Sequence, residues 1–154
     1  EKVDLAVIAR TATDMLAINA EKNNVTLSYS GNHEYIYANK MMMEELVYNL
    51  TDNAIRYNNK NGSVDVSVNS DGDKVTLRVK DTGIGIPVEH QERIFERFYR
   101  VDKSRSKSTG GTGLGLAIVK HIVARNNAHL DMVSEPGKGT DISVTFDKYR
   151  GDGE

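Results

Sequence analysis

Apolar side chains recur along the chain at two spacings, every third or fourth residue in some segments and every second residue in others. Helical spacing runs through residues 4–22, where Asp4 is placed to cap the N-terminus, and again through residues 40–57. These patterns predict two long amphipathic helices, each with one apolar face. The apolar stripes comprise Leu5, Ile8, Ala12, Met15 and Ile18 in the first helix and Met43, Leu46, Leu50, Ala54 and Tyr57 in the second.

Two further segments favour helix, and a polar stretch separates them. Residues 89–100 have a helical pattern, and residues 114–125 place Ile118 and Ile122 on an inner face. Residues 102–112 are rich in Lys, Arg and Ser and offer no apolar side chain to a core. We therefore expect this stretch to be a mobile loop.

Strict alternation of apolar and polar residues predicts the strands. The dipeptide Asp71-Gly72 is a strong turn signal between two alternating segments, which are therefore expected to pair as an antiparallel hairpin. The alternating segments are Val25, Leu27 and Tyr29; residues 35–38; Val64, Val66 and Val68; Val75, Leu77 and Val79; and residues 130–133 and 142–146, which turn at 136–139. Helices and strands in this mixture predict an α+β sandwich, with helices covering one face of a mainly antiparallel sheet.

Composition narrows the classes of protein that the chain can represent. Its 154 residues are enough for one hydrophobic core, so we expect one domain over residues 1–150 and a disordered tail over 151–154. The absence of cysteine excludes thiol catalysis, disulfides and thiolate metal sites. A formal net charge of −2 argues against binding to nucleic acid or to an anionic membrane. The start of the chain has no initiator Met and no signal-peptide pattern, so we expect a fragment of a longer protein.

Eight of the 13 glycines fall in three short clusters. This distribution indicates a ligand site formed by backbone segments. Glycine is used where the chain needs a positive φ or must approach a ligand closely. The clusters are Gly83 and Gly85; Gly110, Gly111, Gly113 and Gly115; and Gly137 and Gly139.

One face of the second predicted helix is polar at regular spacing. Glu45, Asn49 and Asn53 are four residues apart and therefore lie one above another. Their oxygens are hard ligands suited to Mg²⁺, which is usually held by one or two protein groups together with phosphates and water. A solvated helix face explains the same spacing, and the spacing alone does not separate the two interpretations.

Two glycine segments could contact a ligand. Asp81 ends a predicted strand directly before Gly83 and Gly85, where its carboxylate could accept a hydrogen bond from an amine such as that of adenine, although an ordinary loop has the same pattern. Residues 110–116 run into a predicted helix, whose N-terminal N–H groups favour an anion. The pattern matches neither the dinucleotide fingerprint nor a P-loop.

Basic residues are concentrated just before that glycine segment. Residues 97–107 hold five basic side chains against one acidic one, which suits a segment that closes over a triphosphate and equally suits a solvated loop. The four histidines lack the spacing of a metal site and are interpreted as surface residues.

Taken in order, these segments resemble the catalytic, ATP-binding domain of sensor histidine kinases, in the superfamily that also includes gyrase-type topoisomerases, chaperones and MutL-type repair proteins. The resemblance rests on five motifs and spans nearly the whole chain. They are an N box at residues 45–57, a first glycine box at 81–87, an F box at 93–100, a second glycine box at 111–116 and a Gly-x-Gly-Thr turn at 137–140. It implies a Bergerat-type ATP-binding fold, a two-layer sandwich of about three helices over a mixed sheet of about five strands.

The resemblance implies a role for each matched residue. Asn53 and Asn49 would hold the Mg²⁺ that bridges the ATP phosphates, with Arg56 and Tyr57 along the phosphate or ribose path. Glu45 would polarise the attacking group. Arg100 would reach the γ-phosphate, residues 102–112 would form the ATP lid, and Phe95 and Phe98 would anchor that lid.

Base recognition is implied in the same way. Asp81 would bind the adenine amino group, with Thr140 assisting through water. The remaining implied nucleotide contacts are Gly83, Gly85, Ile86, Tyr99, Gly111, Thr112, Gly113, Leu114, Gly115 and Leu116.

The implied reaction is transfer of the ATP γ-phosphoryl group to a histidine on a separate dimerisation domain of the same kinase. A response regulator would act downstream of that kinase. We expect the fragment to be monomeric, the parent to be a homodimeric integral membrane sensor, and this domain to be cytoplasmic. Two alternatives stay open at this point. One is an ATP-hydrolysing clamp of the same superfamily, and the other is a module that binds a nucleotide or a partner without catalysis.

Overall fold

The computed structural model describes residues 1–96 and 115–151. Within them, seven strands and three α-helices follow one another along the chain, with a short 3-10 helix at Val88–His90. The elements are β1 (Lys2–Asp4), α1 (Leu5–Lys22), β2 (Thr26–Gly31), β3 (Tyr35–Tyr37), α2 (Lys40–Arg56), β4 (Ser63–Asp71), β5 (Lys74–Asp81), α3 (Gly115–Arg125), β6 (His129–Glu135) and β7 (Gly139–Asp147).

The main sheet has five strands in the order β2-β4-β5-β7-β6. Strand β2 runs parallel to β4, and every other neighbouring pair is antiparallel, so the sheet is mixed. Alternate residues of the three central strands are buried, because the helices cover that face of the sheet and leave the other open. The predicted α+β two-layer sandwich is confirmed.

Helix α1 begins as predicted and buries a different stripe. Asp4 caps it, since its Oδ1 accepts a hydrogen bond from the backbone N of Ala6 at 3.0 Å. Met15 and Ile18 are 65% and 66% exposed, so their predicted place in the core is wrong. The buried stripe instead passes through Leu16 and Ala20, because the rotation of about 100° per residue carries it to positions 12, 16 and 20.

Helix α2 matches its predicted bounds and most of its predicted stripe. Asn39 caps it, since its Oδ1 accepts from the backbone N of Met42 at 3.0 Å, and Tyr57 ends it. Tyr57 is half-buried at this end and does not belong to the core. The fully buried residues of the helix are Met43, Leu46, Val47, Leu50, Thr51, Ala54 and Ile55.

The predicted hairpins are confirmed, and the short strand predicted at residues 35–38 is present as β3. Asp71 pairs with Lys74, so β4 and β5 are joined by a two-residue turn in which Gly72 has a φ of +63°. Strands β6 and β7 form the closing pair. Strand β3 pairs with β1 in a separate two-stranded sheet, because the first three residues after Glu1 offer it a partner outside the main sheet.

The predicted helix over residues 89–100 is wrong in its described part. Residues 88–96 form the 3-10 helix and successive turns, with Ile94 N donating to His90 O at 3.1 Å and Glu96 N to Arg93 O at 2.9 Å. No side-chain hydrogen bond caps the start of this segment, so a regular helix start is not supported there. Residues 97–100, the predicted loop 102–112 and the tail 152–154 lie outside the described residues.

None of the helices in the described ranges, 1–96 and 115–151, combines the length and the apolar character that crossing a bilayer requires.

The corrected stripe of α1 gives a stability test. Leu16→Ala is expected to lower the free energy of unfolding by about 2–5 kcal/mol, because Leu16 is fully buried and truncation leaves a cavity. Met15→Ala, one residue earlier, is expected to stay within about 0.5 kcal/mol of the unmodified chain. Urea unfolding followed by circular dichroism measures both, and equal effects would contradict the observed burial.

Candidate functional site

The candidate site lies where β5 ends, beside the start of β7 and the end of α2. The half-buried carboxylate of Asp81 marks its centre. Its Oδ1 accepts hydrogen bonds from the backbone N of Gly83 at 2.8 Å and of Thr140 at 3.1 Å. These two bonds orient the carboxylate and join the loop after β5 to β7. Within the described part of the chain Oδ2 accepts no hydrogen bond, so it is available to a donor on a ligand.

Burial makes the Asp81 carboxyl a weaker acid than an exposed aspartate. Desolvation raises its pKa above the ordinary value of 3.8, because the charged form loses water. The two backbone N–H groups lower the pKa and partly offset this effect, and the nearby charge of Asp141 raises it. A carboxylate that is already desolvated and still lacks one hydrogen bond is suited to bind an amine of a ligand.

Three glycines let backbone segments approach each other around Asp81. A Cβ on Gly83 would lie 2.5 Å from the backbone O of Tyr57, and one on Gly139 would lie 2.1 Å from the backbone O of Asp81. A Cβ on Gly85, whose φ is +72°, would lie 2.1 Å from the backbone O of Glu135. No side chain fits at these contacts, so the glycines are required by packing of this protein's own backbone.

The loop after Asp81 is also tied to its surroundings by hydrogen bonds. Ile84 N donates to the backbone O of Tyr57 at 3.1 Å, and Gly137 N donates to Ile84 O at 2.8 Å. Ile86 N donates to the Oγ of Ser134 at 2.8 Å. The loop is therefore attached both to the end of α2 and to the turn between β6 and β7.

Helix α2 carries the polar face that the sequence predicted. Glu45 is exposed, and Asn49 and Asn53 are half-buried. The side-chain nitrogen of Asn49 donates to the backbone O of Glu45 at 2.7 Å, which leaves the amide oxygen directed away from the helix backbone. An oxygen presented in this way has the chemistry of a Mg²⁺ ligand. No described residues form a cluster of three or more His, Asp or Glu side chains that could hold a metal.

The first residue of α3 lies against that polar face. A Cβ on Gly115 would be 3.3 Å from the Oδ1 of Asn49, so the N-terminus of α3 and the middle of α2 meet here. Leu116 packs against the hydrophobic core and fixes this end of α3. The structure thus brings Gly115, the last glycine of segment 110–116, beside the asparagine face of α2.

Of the remaining predicted residues, Arg56 and Tyr57 lie at the end of α2, Phe95 lies in the turns after the 3-10 helix, and the others lie outside the described residues. Arg56 is held by Asp52, with 2.8 Å between Nε and Oδ2, and Tyr57 is half-buried next to the loop after Asp81. Phe95 packs against the core, and the segment that it was predicted to anchor lies outside the described residues. The residues that lie outside the described ranges are Phe98, Tyr99, Arg100, Gly111, Thr112, Gly113 and Leu114.

Histidine stays at the surface or near it, as predicted. His33, His121 and His129 are exposed, and His90 is half-buried. His33 contacts the carboxylate of Asp4, and His129 contacts the carboxylate of Asp131.

Sequence reasoning missed the polar residues that support the loop. Asn58 is 7% exposed, and its side chain donates to the backbone O of Ser63 at 2.9 Å. The backbone N of Ser63 donates in turn to the Oγ1 of Thr82 at 2.8 Å. From the sequence, residues 58–62 were interpreted only as a helix end.

Ser134 is another residue that supports the loop and was missed, although the sequence held a signal for it. It is a polar residue at an inward position of β6 and follows Leu130 and Met132 in the alternation.

A family model described as histidine kinase-, DNA gyrase B-, and HSP90-like ATPase matches residues 38–150. The match begins just before α2 and runs beyond β7, so it includes every described residue of the site.

Named relatives point to the same group of proteins. The sensor-like histidine kinase SenX3 of Mycolicibacterium smegmatis is 36% identical over 97% of this chain and 39% of its own length. The phosphate regulon sensor protein PhoR of Pseudomonas aeruginosa is 38% identical over 92% of the chain and 32% of its own length. The chain therefore spans less than half of each of these relatives.

A solved structure confirms the fold independently. The mycobacterial sensor histidine kinase MprB superposes with a TM-score of 0.82 at 24% identity, covering 96% of this chain and 97% of that one.

The glycine contacts at Asp81 give a second stability test with a matched control. Gly137 and Gly139 both have positive φ, but a Cβ on Gly137 meets nothing within 4 Å. Gly137→Ala is expected to cost about 1 kcal/mol from backbone strain alone. Gly139→Ala is expected to cost about 2–4 kcal/mol, since the methyl group also collides with the backbone of Asp81. Thermal and urea unfolding compare them, and a Gly139 variant as stable as the Gly137 variant would contradict the geometry.

Proposed function

The chain belongs to the family of histidine kinase-, DNA gyrase B- and HSP90-like ATPases, and from that membership and the site geometry we propose that it is the part of a sensor histidine kinase that binds Mg-ATP and provides the phosphoryl group. The observation that carries the proposal is the placement of Asp81. Its oriented carboxylate lies at one end of a site whose other end is the asparagine face of α2 beside the start of α3.

Asp81 is proposed to recognise the adenine base. Oδ1 is held by two backbone N–H groups, and Oδ2 is the acceptor for the exocyclic amine of adenine. Thr140 lies directly beside it, with its Oγ1 2.8 Å from the Oγ of Ser134. Thr140, Gly83, Gly85 and Ile86 are the described residues proposed to contact the base.

The phosphates and Mg²⁺ are proposed to lie between α2 and the start of α3. The amide oxygens of Asn49 and Asn53 would be the protein ligands for Mg²⁺, with phosphate oxygens and water as its other ligands. Gly115, Leu116, Arg56 and Tyr57 are proposed to line the phosphate and ribose path, together with Tyr99, Gly111, Thr112, Gly113 and Leu114. When bound, the metal neutralises charge on the phosphates.

Phosphoryl transfer is proposed to go to a histidine on a separate dimerisation domain. The bond between the γ-phosphorus and its bridging oxygen breaks and ADP leaves, while a nitrogen of the imidazole forms the new N–P bond and loses its proton. Arg100 is proposed to contact the γ-phosphate. Glu45 is exposed beside Asn49, where it could accept that proton or orient the imidazole.

The wider context is proposed from the relatives. Each is a sensor protein of which this chain matches less than half. We propose that the histidine-bearing dimerisation domain lies elsewhere in the parent protein, that the parent is a homodimer, and that a separate response regulator acts downstream of it. We propose that the parent is an integral membrane sensor with this domain in the cytoplasm and no nucleic-acid partner.

Base recognition is tested with Asp81→Asn. The variant replaces the acceptor Oδ2 with an amide that cannot both bind the two backbone N–H groups and accept from adenine. Mg-ATP affinity, measured by calorimetry on the 154-residue chain, is expected to fall about 10-fold or more. Asp65→Asn, on the exposed face of the same sheet, serves as the control and is expected to bind like the unmodified chain. Unchanged affinity in Asp81→Asn would remove Asp81 from the site.

The same pair of proteins gives a pH test. Because the pKa of Asp81 is raised, protonation removes its acceptor at a higher pH than for an exposed aspartate with a pKa of 3.8. The affinity advantage of the unmodified chain over Asp81→Asn is therefore expected to be full at neutral pH and to shrink as the pH falls through the raised pKa. An advantage that does not shrink as the pH falls through that range contradicts the assignment.

Transfer is tested with a histidine-bearing helical domain supplied in trans. Acid-labile phosphate from γ-labelled ATP is expected on that domain, and Asn53→Ala is expected to reduce it about 100-fold or more through loss of a Mg²⁺ ligand. Asn19→Ala, on an exposed turn of α1, is the matched control. Steady phosphate release with no label on the histidine domain would favour an ATP-hydrolysing clamp, and failure to bind any adenine nucleotide would favour a non-catalytic module.

A further inference from the structure

Two side chains hold the loop after Asp81 at a single residue, Ile86. The backbone N of Ile86 donates to the Oγ of Ser134 at 2.8 Å. The backbone O of Ile86 accepts from the Nε2 of Gln91, also at 2.8 Å. The same nitrogen of Gln91 donates to the backbone O of Ser134 at 3.1 Å. Both acceptors are carbonyl oxygens, so chemistry alone requires the nitrogen of the Gln91 amide to face them.

These bonds continue without a break to Asp81. The Oγ of Ser134 lies 2.8 Å from the Oγ1 of Thr140, and the backbone N of Thr140 donates to the Oδ1 of Asp81 at 3.1 Å. A single network therefore connects Gln91, at the end of the 3-10 helix, with the carboxylate proposed to bind adenine. The network includes the backbone N and O of Ile86 in the loop, and Thr140 at the start of β7.

The loop needs such external support because of its own composition. Gly83 and Gly85 give it more conformational freedom than other residues would, and Gly85 has a positive φ of +72°. A loop that must be ordered when a ligand binds reduces affinity, since the lost entropy is subtracted from the contacts made. Hydrogen bonds that fix both backbone polar groups of Ile86 remove that freedom before the ligand arrives.

We infer that Gln91 and Ser134 are positioning residues for adenine recognition, which order the loop at Ile86 and hold Thr140 against Asp81. This inference rests on the proposed function, because it assigns a task at the same base-binding end of the site. Neither side chain needs to contact the nucleotide. Their effect is confined to ligands that carry a base, since the network does not reach the asparagine face of α2.

The test compares a ligand with a base and one without. Mg-ATP and Mg-tripolyphosphate are titrated into the 154-residue chain, the second by competition against ATP. Gln91→Ala and Ser134→Ala are each expected to weaken Mg-ATP binding about 3- to 10-fold, the effect of losing a few hydrogen bonds, and to leave tripolyphosphate binding unchanged. Ser134→Thr keeps the hydroxyl and is expected to restore ATP affinity to within about 2-fold.

Matched controls separate positioning from general damage. Glu89→Ala alters an exposed residue of the same 3-10 helix, and Ser143→Ala removes a hydroxyl from the opposite face of β7. Both are expected to bind the two ligands like the unmodified chain.

Three results would overturn the inference. The first is normal Mg-ATP binding by Gln91→Ala and Ser134→Ala. The second is loss of ATP and tripolyphosphate affinity by the same factor in these variants, as a loosened fold would give. In both cases the unmodified chain still binds Mg-ATP, so the proposed function stands. If the unmodified chain binds no Mg-ATP, the proposed function fails and the inference fails with it. Should Ser134→Ala not fold, Gln91→Ala and Ser134→Thr carry the comparison.

Discussion

Close approach of backbone to backbone at the end of β5 is the constraint on which the site depends. The loop after Asp81 passes close to the end of α2, to the turn after β6 and to the start of β7, and Gly83, Gly85 and Gly139 lie at those three contacts. Each contact is too short for a Cβ. Because the segments come so close, their N–H groups reach the Asp81 carboxylate and give it one fixed orientation.

The helix layer supports the other end of the site. Helix α2 buries one face in the core through Leu46 and Leu50, and Asn49 lies half-buried on the flank beside that face. Since the same helix ends at Tyr57, whose backbone O receives the N–H of Ile84, it also anchors the loop after Asp81. One rigid helix thus sets the distance between the two ends of the site.

Much of the fold follows from periodicity, and the failures have physical causes. The turn at Gly72 and the alternation of Val64, Val66 and Val68 are local signals, so the hairpins were predictable. The first helix had two candidate apolar stripes, because Met15 and Ile18 lie at helical spacing as well as Leu16 does, and only packing against α2 and the sheet decides which is buried. The helix predicted over residues 89–100 failed in its described part because no side-chain cap supports its start, and a 3-10 helix and turns form there instead.

The candidate site divides in the same way. Asp81 and the asparagines were predictable because their motifs are contiguous in sequence. Ser134 was not predictable, because it is 48 residues away from Ile86 and meets it only once the sheet is formed. Gln91 is only 5 residues away, but it lies in a segment for which the sequence predicted a regular helix. Hydrogen-bond partners with large sequence separation leave no periodic trace, apart from an inward-facing serine in an otherwise apolar alternation.

The junction between β1 and α1 has a mechanical consequence. Strand β1 ends at Asp4, and α1 begins at the next residue with that same aspartate as its cap, so no flexible joint separates them. The strand is clamped against β3, and the helix packs along α2. No loop residue therefore lies between the β1-β3 sheet and the helix packed on α2, so the position of β1 also sets the position of α1 against the helix that bears Asn49 and Asn53.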